Sequence, residues 1–235
     1  MAANEAIVLV GGLGTRLRAA VPDLPKPLAP VAGRPFLAWL LDAYAEAGMR
    51  RVVLATGYRS QQIEEAIGRH WRGMEVAYSP EESPLGTGGA IAQALAKVQG
   101  DGVHLANGDT FLRYQPAALE AATREGGCAL GIALARVDDV GRYGAVEVAQ
   151  GRVVGFREKG GSGAGLINAG SYFLAGEGFA QVSGRAGAWS FEECVLHPWS
   201  GRGEVAAFDA TSDFIDIGVP EDYARAQAMF AERVA

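Results

Sequence analysis

The sequence contains few cysteines and histidines, and neither type is spaced as a metal site or a disulfide framework requires. Its 235 residues include two cysteines, Cys128 and Cys194. Two cysteines in a chain long enough to bury a core build no disulfide framework, which favours a reducing compartment. The three histidines, His70, His104 and His197, have no visible Ser-His-Asp context and no zinc-ligand spacing. We therefore expect neither a zinc site nor a covalent intermediate.

Long apolar runs and an excess of positive charge are also missing. No apolar stretch reaches the roughly 18 residues of a membrane span, and residues 1–5 lack the basic and apolar regions of a signal peptide. The formal charge is −6, from 21 basic and 27 acidic residues, whereas a sequence-independent nucleic-acid or membrane surface needs a basic excess. We expect a cytoplasmic protein without a nucleic-acid or membrane partner.

Apolar residues and glycine, in contrast, are plentiful. Hydrophobic residues make up 49% of the chain, which is enough for a packed core. The 33 glycines predict many tight turns and backbone-lined contacts. The length, together with the absence of a long linker, predicts one domain over residues 1–235.

Apolar runs and helical patterns alternate over the first half of the chain. The predicted elements are strands at residues 6–10, 51–55, 75–78 and 103–106, and helices at residues 36–47, 60–67 and 87–97. Repeated strand–helix units predict a doubly wound, Rossmann-like α/β fold with a mixed, mostly parallel sheet.

The pattern changes from about Cys128, where strands follow one another across glycine-containing turns. These strands are predicted at residues 129–137, 144–148, 152–156 and 166–174. The second half is therefore expected to be mixed or antiparallel. A last helix is predicted at residues 220–231, because its Pro-Glu-Asp start suits a helix N-terminus. An apolar patch on this helix fits a core contact or a dimer contact equally, so a homo-oligomer stays open.

The strongest signal for chemistry is the segment GGLGTR at residues 11–16, directly after the first predicted strand. It is neither a P-loop nor a Rossmann fingerprint, yet its glycines let backbone N–H groups approach an anion, and Arg16 adds a charged fork for phosphate oxygens. Lys26 stands between Pro25 and Pro27, which fix the local backbone and aim the ammonium group at a second phosphate. The alternatives are an ordinary glycine turn and an ordinary surface lysine.

Two carboxylates occupy positions that suit a metal ion. Asp109 lies in a glycine-flanked turn after a strand, and Asp216 lies within the apolar run FIDIG, where an unpaired charge is costly. Hard oxygen ligands of this kind suit Mg²⁺. A turn aspartate that satisfies its own backbone is the alternative for Asp109, and a strand-end cap is the alternative for Asp216.

The glycine segment with its arginine, followed by Pro-Lys-Pro, resembles the sugar-1-phosphate nucleotidyltransferases. The resemblance continues through later motifs: PLGTGG at residues 84–89, NGD at 107–109, GLINAG at 165–170 and FIDIGVPEDY at 214–223. These motifs are similar to the branch of the family that makes nucleotide-activated heptose. The resemblance implies the nucleotide-diphospho-sugar transferase type of fold, with a nucleotide-binding half over about residues 1–110 and a sugar-phosphate-binding half over about residues 111–235.

The resemblance also implies roles for individual residues. The nucleotide-binding set is Val10, Gly11, Gly12, Gly14, Thr15, Arg16, Lys26, Glu81, Gly86, Thr87, Asn107 and Gly108. The sugar-phosphate-binding set is Gly144, Glu158, Lys159, Asn168 and Glu192. The catalytic set is Arg16, Lys26, Asp109, Lys159 and Asp216, in which the two aspartates hold Mg²⁺. Taken alone, Glu158 and Lys159 also fit a solvated charge pair, Asn168 a backbone contact, and Glu192 an exposed helix start.

The implied reaction transfers GMP from GTP to D-glycero-α-D-manno-heptose 1-phosphate. Glu81 stands where thymidylyl-transferring relatives carry glutamine, and a carboxylate accepts from both guanine N1–H and the exocyclic amine. This favours guanine over adenine, although uracil and thymine also offer an N3–H. The alternatives are a mannose 1-phosphate guanylyltransferase, a uridylyltransferase for another sugar 1-phosphate, and a non-catalytic regulatory subunit that binds nucleotide sugars.

Overall fold

The first half of the chain alternates strands and helices. The computed structural model describes residues 2–12, 14, 17 and 21–233. The elements of this half are β1 (Glu5–Leu9), a 3₁₀ turn (Lys26–Leu28), β2 (Pro30–Val31), β3 (Arg34–Pro35), α1 (Phe36–Glu46), β4 (Arg51–Thr56), α2 (Ser60–Ile67), β5 (His70–Trp71), β6 (Met74–Pro80), α3 (Gly86–Leu95) and β7 (Gly102–Asn107). Helices α1 and α2 start at their predicted residues, and α3 starts one residue earlier.

The second half is richer in consecutive strands. Its elements are β8 (Thr110–Arg113), α4 (Pro116–Glu125), β9 (Leu130–Val137), β10 (Val146–Ala149), β11 (Arg152–Phe156), β12 (Gly165–Ala175), α5 (Gly176–Ser183), a π-helical turn (Glu192–Leu196), α6 (His197–Gly201), β13 (Val205–Phe208), β14 (Ser212–Asp216) and α7 (Pro220–Ala231). Sequence patterns did not predict β8, β13 or β14. β8 and β14 pair with each other, so a partner far along the chain stabilises them rather than their local sequence.

Among the described residues, the main sheet has ten strands in the order β10-β11-β13-β9-β12-β7-β1-β4-β6-β5. β1 pairs in parallel with β4 and β7, and β4 pairs in parallel with β6. β12 runs antiparallel to both β7 and β9, so the strand direction changes beside β7. The predicted doubly wound, mixed α/β sheet is confirmed, and the antiparallel pairings lie mainly in the second half, as expected.

β1 is buried on both faces of the sheet, as is typical of a central parallel strand. Ile7 packs on one face in a cluster that includes Val53 and Leu105. Val8 packs on the opposite face in a cluster that includes Val52. Because both faces are covered, β1 delivers the glycine-rich segment that follows it to the C-terminal edge of the sheet, where α/β folds bind ligands.

Helix α7 closes the structure over β8 and β14. Phe230 is fully buried, stacks on Trp39 with ring centroids 4.7 Å apart, and meets Phe36 and Phe111 edge-on. Ile215 of β14 belongs to the same cluster. The apolar patch of the last helix is therefore a core contact, and it fixes the strand that ends in Asp216.

No helix in the described ranges combines the length and the apolar character that crossing a membrane requires.

Candidate active site

Two short strands outside the main sheet bring the predicted metal-binding carboxylates together. The Gly108 N–H donates to the Leu9 carbonyl oxygen over 2.8 Å, which ties the turn after β7 to the end of β1. β8 then pairs antiparallel with β14, and the Ile217 N–H donates to the Asp109 carbonyl oxygen over 3.0 Å. Asp109 precedes β8 and Asp216 ends β14, so both side chains lie at the same end of this strand pair.

Lys26 reaches the two carboxylates from the 3₁₀ turn. Its Nζ lies 2.5 Å from Asp109 Oδ2 and 3.5 Å from Asp216 Oδ1. The lysine side chain is 10% exposed, whereas the aspartate side chains are 36% and 31% exposed. Pro25 at the start of the turn and buried Pro27 and Leu28 within it hold the backbone, so the ammonium group is positioned rather than mobile in solvent. Lys26, Asp109 and Asp216 are called the lysine–aspartate cluster below.

Within this cluster, the surroundings of Asp216 disfavour the charged form of its carboxyl group. Burial raises the pKa of Asp216 above its ordinary value, and the charge of Asp109 raises it further. The Lys26 ammonium and the Gly218 N–H, which donates to Asp216 Oδ1 over 2.7 Å, act in the opposite direction without cancelling the rise. Two carboxylates that repel one another in this way favour a cation between them.

The two aspartates fit part of the coordination shell of a hard divalent cation. Asp109 Oδ1 has only a weak contact of 3.4 Å with Thr110 Oγ1. Asp216 Oδ2 has no hydrogen-bond partner in the part of the chain that the structure describes. No group of three or more His, Cys, Asp or Glu side chains among the described residues fits a metal ion. The remaining ligands would therefore be water and substrate oxygens, as is usual for hard cations at phosphate sites.

A cavity of about 170 Å³ separates the lysine–aspartate cluster from the glycine-rich segment. It is lined by the predicted residues Val10, Gly12, Gly14, Lys26 and Asp109, and also by Leu9, Pro27 and Gly218. Gly14 has a φ of 58°, and a Cβ there would lie 3.0 Å from the Lys26 Cβ, so glycine lets the segment pass close to the lysine. Thr15 and Arg16, two residues predicted to bind the nucleotide, lie outside the described residues.

Glu81 follows β6 and lies beside the glycine-rich segment. Its Oε2 accepts the Leu85 N–H over 2.8 Å, which fixes the loop before α3. Its Oε1 lies so close to the Gly11 backbone that a Cβ on Gly11 would be 2.9 Å from it. One carboxylate oxygen thus has a structural partner, and the other faces the segment that is predicted to bind the nucleotide.

The glycines at the start of α3 have a packing role that sequence reasoning did not identify. The Gly88 N–H donates to the Trp189 carbonyl oxygen over 3.0 Å, and the Trp189 N–H donates to the Leu85 carbonyl oxygen over 2.9 Å. A Cβ on Gly88 would overlap the Trp189 ring, and one on Gly86 would lie 2.5 Å from the Trp189 carbonyl oxygen. The predicted nucleotide-binding turn is therefore also the surface against which the segment around Trp189 packs.

Thr87 and Glu192, predicted for the nucleotide side and the sugar side, contact one another directly. Thr87 Oγ1 donates to Glu192 Oε2 over 2.8 Å and accepts the Phe191 N–H over 2.9 Å. Ser190 Oγ donates to the same Glu192 oxygen over 3.2 Å. Glu192 opens the π-helical turn, a distortion that is frequent at functional sites. The two predicted halves of the site thus meet here.

Asn168 lies at an irregularity in β12 that faces the end of β7. Its Oδ1 accepts the Gly170 N–H over 2.9 Å, and its amide nitrogen donates to the Tyr172 hydroxyl over 2.8 Å. Gly170 packs against Asn107, whose Nδ2 would lie 2.6 Å from a Cβ at position 170. The backbone contact that sequence reasoning offered as the alternative for Asn168 is therefore present. Tyr172, which orders this amide, was not predicted.

The segment with Glu158 and Lys159 packs against the loop that leads to Gly144. The Gly160 N–H donates to the Gly141 carbonyl oxygen over 2.8 Å. Both charged side chains are exposed, and within the described ranges neither forms a hydrogen bond or an ion pair. The structure thus joins the sugar-phosphate elements to each other through the backbone, but it does not bring Lys159 into contact with the lysine–aspartate cluster.

Comparison with known proteins gives a consistent result over nearly the whole chain. The sequence model of the family described as Nucleotidyl transferase matches residues 5–233. The D-glycero-alpha-D-manno-heptose 1-phosphate guanylyltransferase of Aneurinibacillus thermoaerophilus is 38% identical over 223 residues, which are 95% of this chain and 96% of that protein. The protein of the same name from Campylobacter jejuni is 38% identical over 93% of this chain and 96% of its own length.

The fold comparison agrees with the sequence comparison. The crystal structure of HddC from Yersinia pseudotuberculosis complexed with GMP-PN superposes with a TM-score of 0.85 at 33% identity, covering 98% of this chain and 100% of that one. A Bacillus anthracis protein described as a putative glucose-1-phosphate thymidylyltransferase has a TM-score of 0.81, covering 97% of this chain and 95% of that one, at 18% identity, which establishes likeness of fold alone.

Replacing Gly88 with alanine should destabilise the fold, because the new methyl group would overlap the Trp189 ring. We expect a loss of about 1–3 kcal/mol in the free energy of unfolding, the usual cost of overpacking, measured by urea denaturation. Gly201→Ala is the matched control, since among the described residues nothing beyond its chain neighbours and its own helix backbone would lie within 4 Å of the new Cβ. Equal stability of both variants would show that Trp189 does not pack on α3.

Proposed function

The chain belongs to the nucleotidyl transferase family, and on this premise we propose that it transfers GMP from GTP to D-glycero-α-D-manno-heptose 1-phosphate. The products are the GDP-activated heptose and pyrophosphate. The observation that carries the proposal is the lysine–aspartate cluster at the end of β1, beside the glycine-rich segment and its cavity. Identity of 38% to two heptose 1-phosphate guanylyltransferases supports this choice of substrates.

The reaction is an in-line exchange at the α-phosphorus of GTP. An oxygen of the sugar 1-phosphate forms a new bond to this phosphorus while the bond to the β-phosphate oxygen breaks, and pyrophosphate leaves with that electron pair. The nucleophile is already anionic, so no general base is required. The barrier lies in bringing two polyanions together, which positioning and charge neutralisation lower.

The chain's own cations are assigned to the phosphates. Lys26 is proposed to contact the α-phosphate from its fixed position in the 3₁₀ turn. Backbone N–H groups of Gly11, Gly12 and Gly14 approach the triphosphate, and Arg16 holds the departing pyrophosphate. Lys159 is proposed to hold the incoming sugar phosphate, and its exposed ammonium is free for that role in the described structure.

Members of this family use a divalent metal ion, and we assign Mg²⁺ to Asp109 and Asp216. When bound, Mg²⁺ supplies positive charge to the phosphate oxygens that the reaction brings together. Asp109 and Asp216 are suited to hold it because each keeps one carboxylate oxygen without a strong partner among the described residues.

A mannose 1-phosphate guanylyltransferase is the second candidate. The mannose-1-phosphate guanylyltransferase of Mycobacterium tuberculosis is 34% identical over 98% of this chain, which covers 66% of that longer protein. Both candidates use the same nucleotide chemistry and differ in the sugar, so the cluster and the glycine-rich segment serve either one.

Pyrophosphate release, measured with Mg²⁺ across GTP, UTP, CTP, ATP and dTTP, tests the proposal. Each nucleotide is paired with heptose 1-phosphate, mannose 1-phosphate and glucose 1-phosphate. We expect release to be highest for GTP with the heptose. Turnover with a different pair would correct the substrate, whereas binding of nucleotide without any turnover would favour the regulatory-subunit alternative.

Replacing Lys26 with alanine should lower turnover by about 10²–10³-fold, because it removes preorganised charge at the α-phosphate. It would also leave Asp109 and Asp216 facing each other without their internal cation. Lys97→Ala is the matched control, since this exposed lysine forms no ion pair within the described residues. Steady-state kinetics on folded proteins decide the matter, and near-normal activity of the Lys26 variant would remove the assignment.

Replacing Glu81 with glutamine tests whether this carboxylate reads the base. The glutamine oxygen can still accept the Leu85 N–H, so the side-chain amide NH2 group would then face the nucleotide where guanine presents donors. An unpaired donor costs about 1–3 kcal/mol, so the ratio of kcat/KM for GTP over UTP should fall by about tenfold or more. Exposed Glu82→Gln is the control. An unchanged ratio in the Glu81 variant would contradict the hypothesis.

A further inference from the structure

A second and larger cavity, of about 550 Å³, opens beside the proposed sugar-phosphate elements. Three arginines line it, namely Arg136, Arg142 and Arg225. Asp138 and Asp139 of the loop after β9 line it as well. None of these five residues belongs to the predicted nucleotide, sugar-phosphate or metal sets, so the cavity has no role in the function described so far. It is called the β9 cavity below.

The β9 cavity borders the active site on the side of Asp216. Phe214 lines the cavity and lies two residues before Asp216 on β14, which brings the cavity to the strand that ends in Asp216. Tyr143, which immediately precedes Gly144, meets Phe214 edge-on with ring centroids 5.5 Å apart. Arg142, which lines the cavity, pairs with Asp222 at the start of α7, the helix that follows β14.

Buried Asp222 forms ion pairs with two of the arginines that line the cavity. This carboxylate is 2% exposed and accepts hydrogen bonds from Arg142 over 2.6 Å and from Arg225 over 2.9 Å. Both guanidinium groups remain more than half exposed, so each keeps N–H donors that face solvent. The part of the cavity lined by these two arginines is therefore held by ion pairs and is rich in hydrogen-bond donors.

Two other lining residues are available to a ligand, one as a hydrogen-bond donor and one as an acceptor. Arg136 and Asp138 are exposed, and in the described part of the chain neither side chain has a hydrogen-bond or ion-pair partner. The lining holds three arginines and two aspartates, Asp138 and Asp139, and buried Asp222 supplies a third negative charge. A charge-balanced lining does not select a polyanion.

Hydroxyl groups suit this lining better than a polyanion does. A hydroxyl accepts from a guanidinium group and donates to a carboxylate at the same time, so adjacent hydroxyls pair with alternating arginine and aspartate. The aromatic rings of Tyr143 and Phe214 provide apolar surface for the carbons between the hydroxyls. The cavity is therefore suited to a short polyhydroxylated chain.

We propose that the β9 cavity receives the exocyclic two-carbon diol of the sugar substrate, with Arg136 and Asp138 hydrogen-bonding its two hydroxyls. The inference rests on the proposed function, because the sugar 1-phosphate must lie beside Asp216. Heptose 1-phosphate and mannose 1-phosphate differ by a single exocyclic CHOH unit. A site that hydrogen-bonds a substrate hydroxyl discriminates strongly against the analogue that lacks it. Arg136 and Asp138 are thus specificity-determining residues for the seven-carbon sugar.

The test compares kcat/KM for heptose 1-phosphate and for mannose 1-phosphate, each with saturating GTP and Mg²⁺. We expect the native protein to prefer the heptose, and Arg136→Ala and Asp138→Ala each to lower that preference about tenfold. The values for mannose 1-phosphate should fall less, since mannose carries one exocyclic hydroxyl where the heptose carries two. Arg50→Ala is the control, because Arg50 is exposed immediately before β4 and its side chain has no hydrogen-bond or ion-pair partner among the described residues.

Each outcome separates the inference from the function on which it rests. A preference for heptose that falls in both cavity variants and stays constant in the Arg50 variant supports the inference. Turnover with an unchanged preference, or with none in the native protein, overturns the role of the cavity and leaves the nucleotidyl transfer intact. Equal losses for both sugars would mean a structural effect and would also overturn it. No turnover with either sugar would overturn both proposals.

Discussion

The repulsion between Asp109 and Asp216 is the constraint on which the rest of the site depends. Two half-buried carboxylates at the same end of one strand pair are costly, and the Lys26 ammonium at 2.5 and 3.5 Å offsets that cost. Three separate features keep this arrangement: the proline-bounded 3₁₀ turn, the β8–β14 ladder, and the aromatic cluster around Phe230. An arrangement that needs a cation is suited to phosphate chemistry, which brings more negative charge to the same place.

The site has two sides, and they correspond to the parallel and the antiparallel parts of the sheet. On one side, parallel β1, β4 and β7 end at a common edge, where the glycine-rich segment and its cavity lie. On the other side, antiparallel β12 and the loops around Gly144 and Lys159 form a surface that reaches the same edge. β14 pairs with β8, which follows β7 after the turn at Asp109, so Asp216 lies beside the strand at which the direction changes.

Contacts between the two sides give the site its cohesion. Thr87 and Glu192 share a hydrogen bond of 2.8 Å, and Trp189 fits against Gly88 at the start of α3. Asp222 joins the loop at Arg142 to helix α7, directly after the turn that follows Asp216. Asp222 therefore holds the loop at Arg142 close to the strand that ends in Asp216, since a buried carboxylate that loses its arginine partner is strongly destabilised.

The sequence by itself determined the local elements and the residue types of the site. Apolar runs identified β1, β4 and β7, and a proline with two acidic residues marked the start of α7, because burial and capping act over a few neighbouring residues. It did not determine β8, β14 or the Trp189 contact with Gly88, whose stability comes from partners far along the chain. The tertiary structure alone decided that Lys26, 83 residues before Asp109, would lie between the two aspartates. The periodicity of a sequence indicates which face of a helix or strand is buried. Only tertiary packing determines which distant side chain a residue contacts.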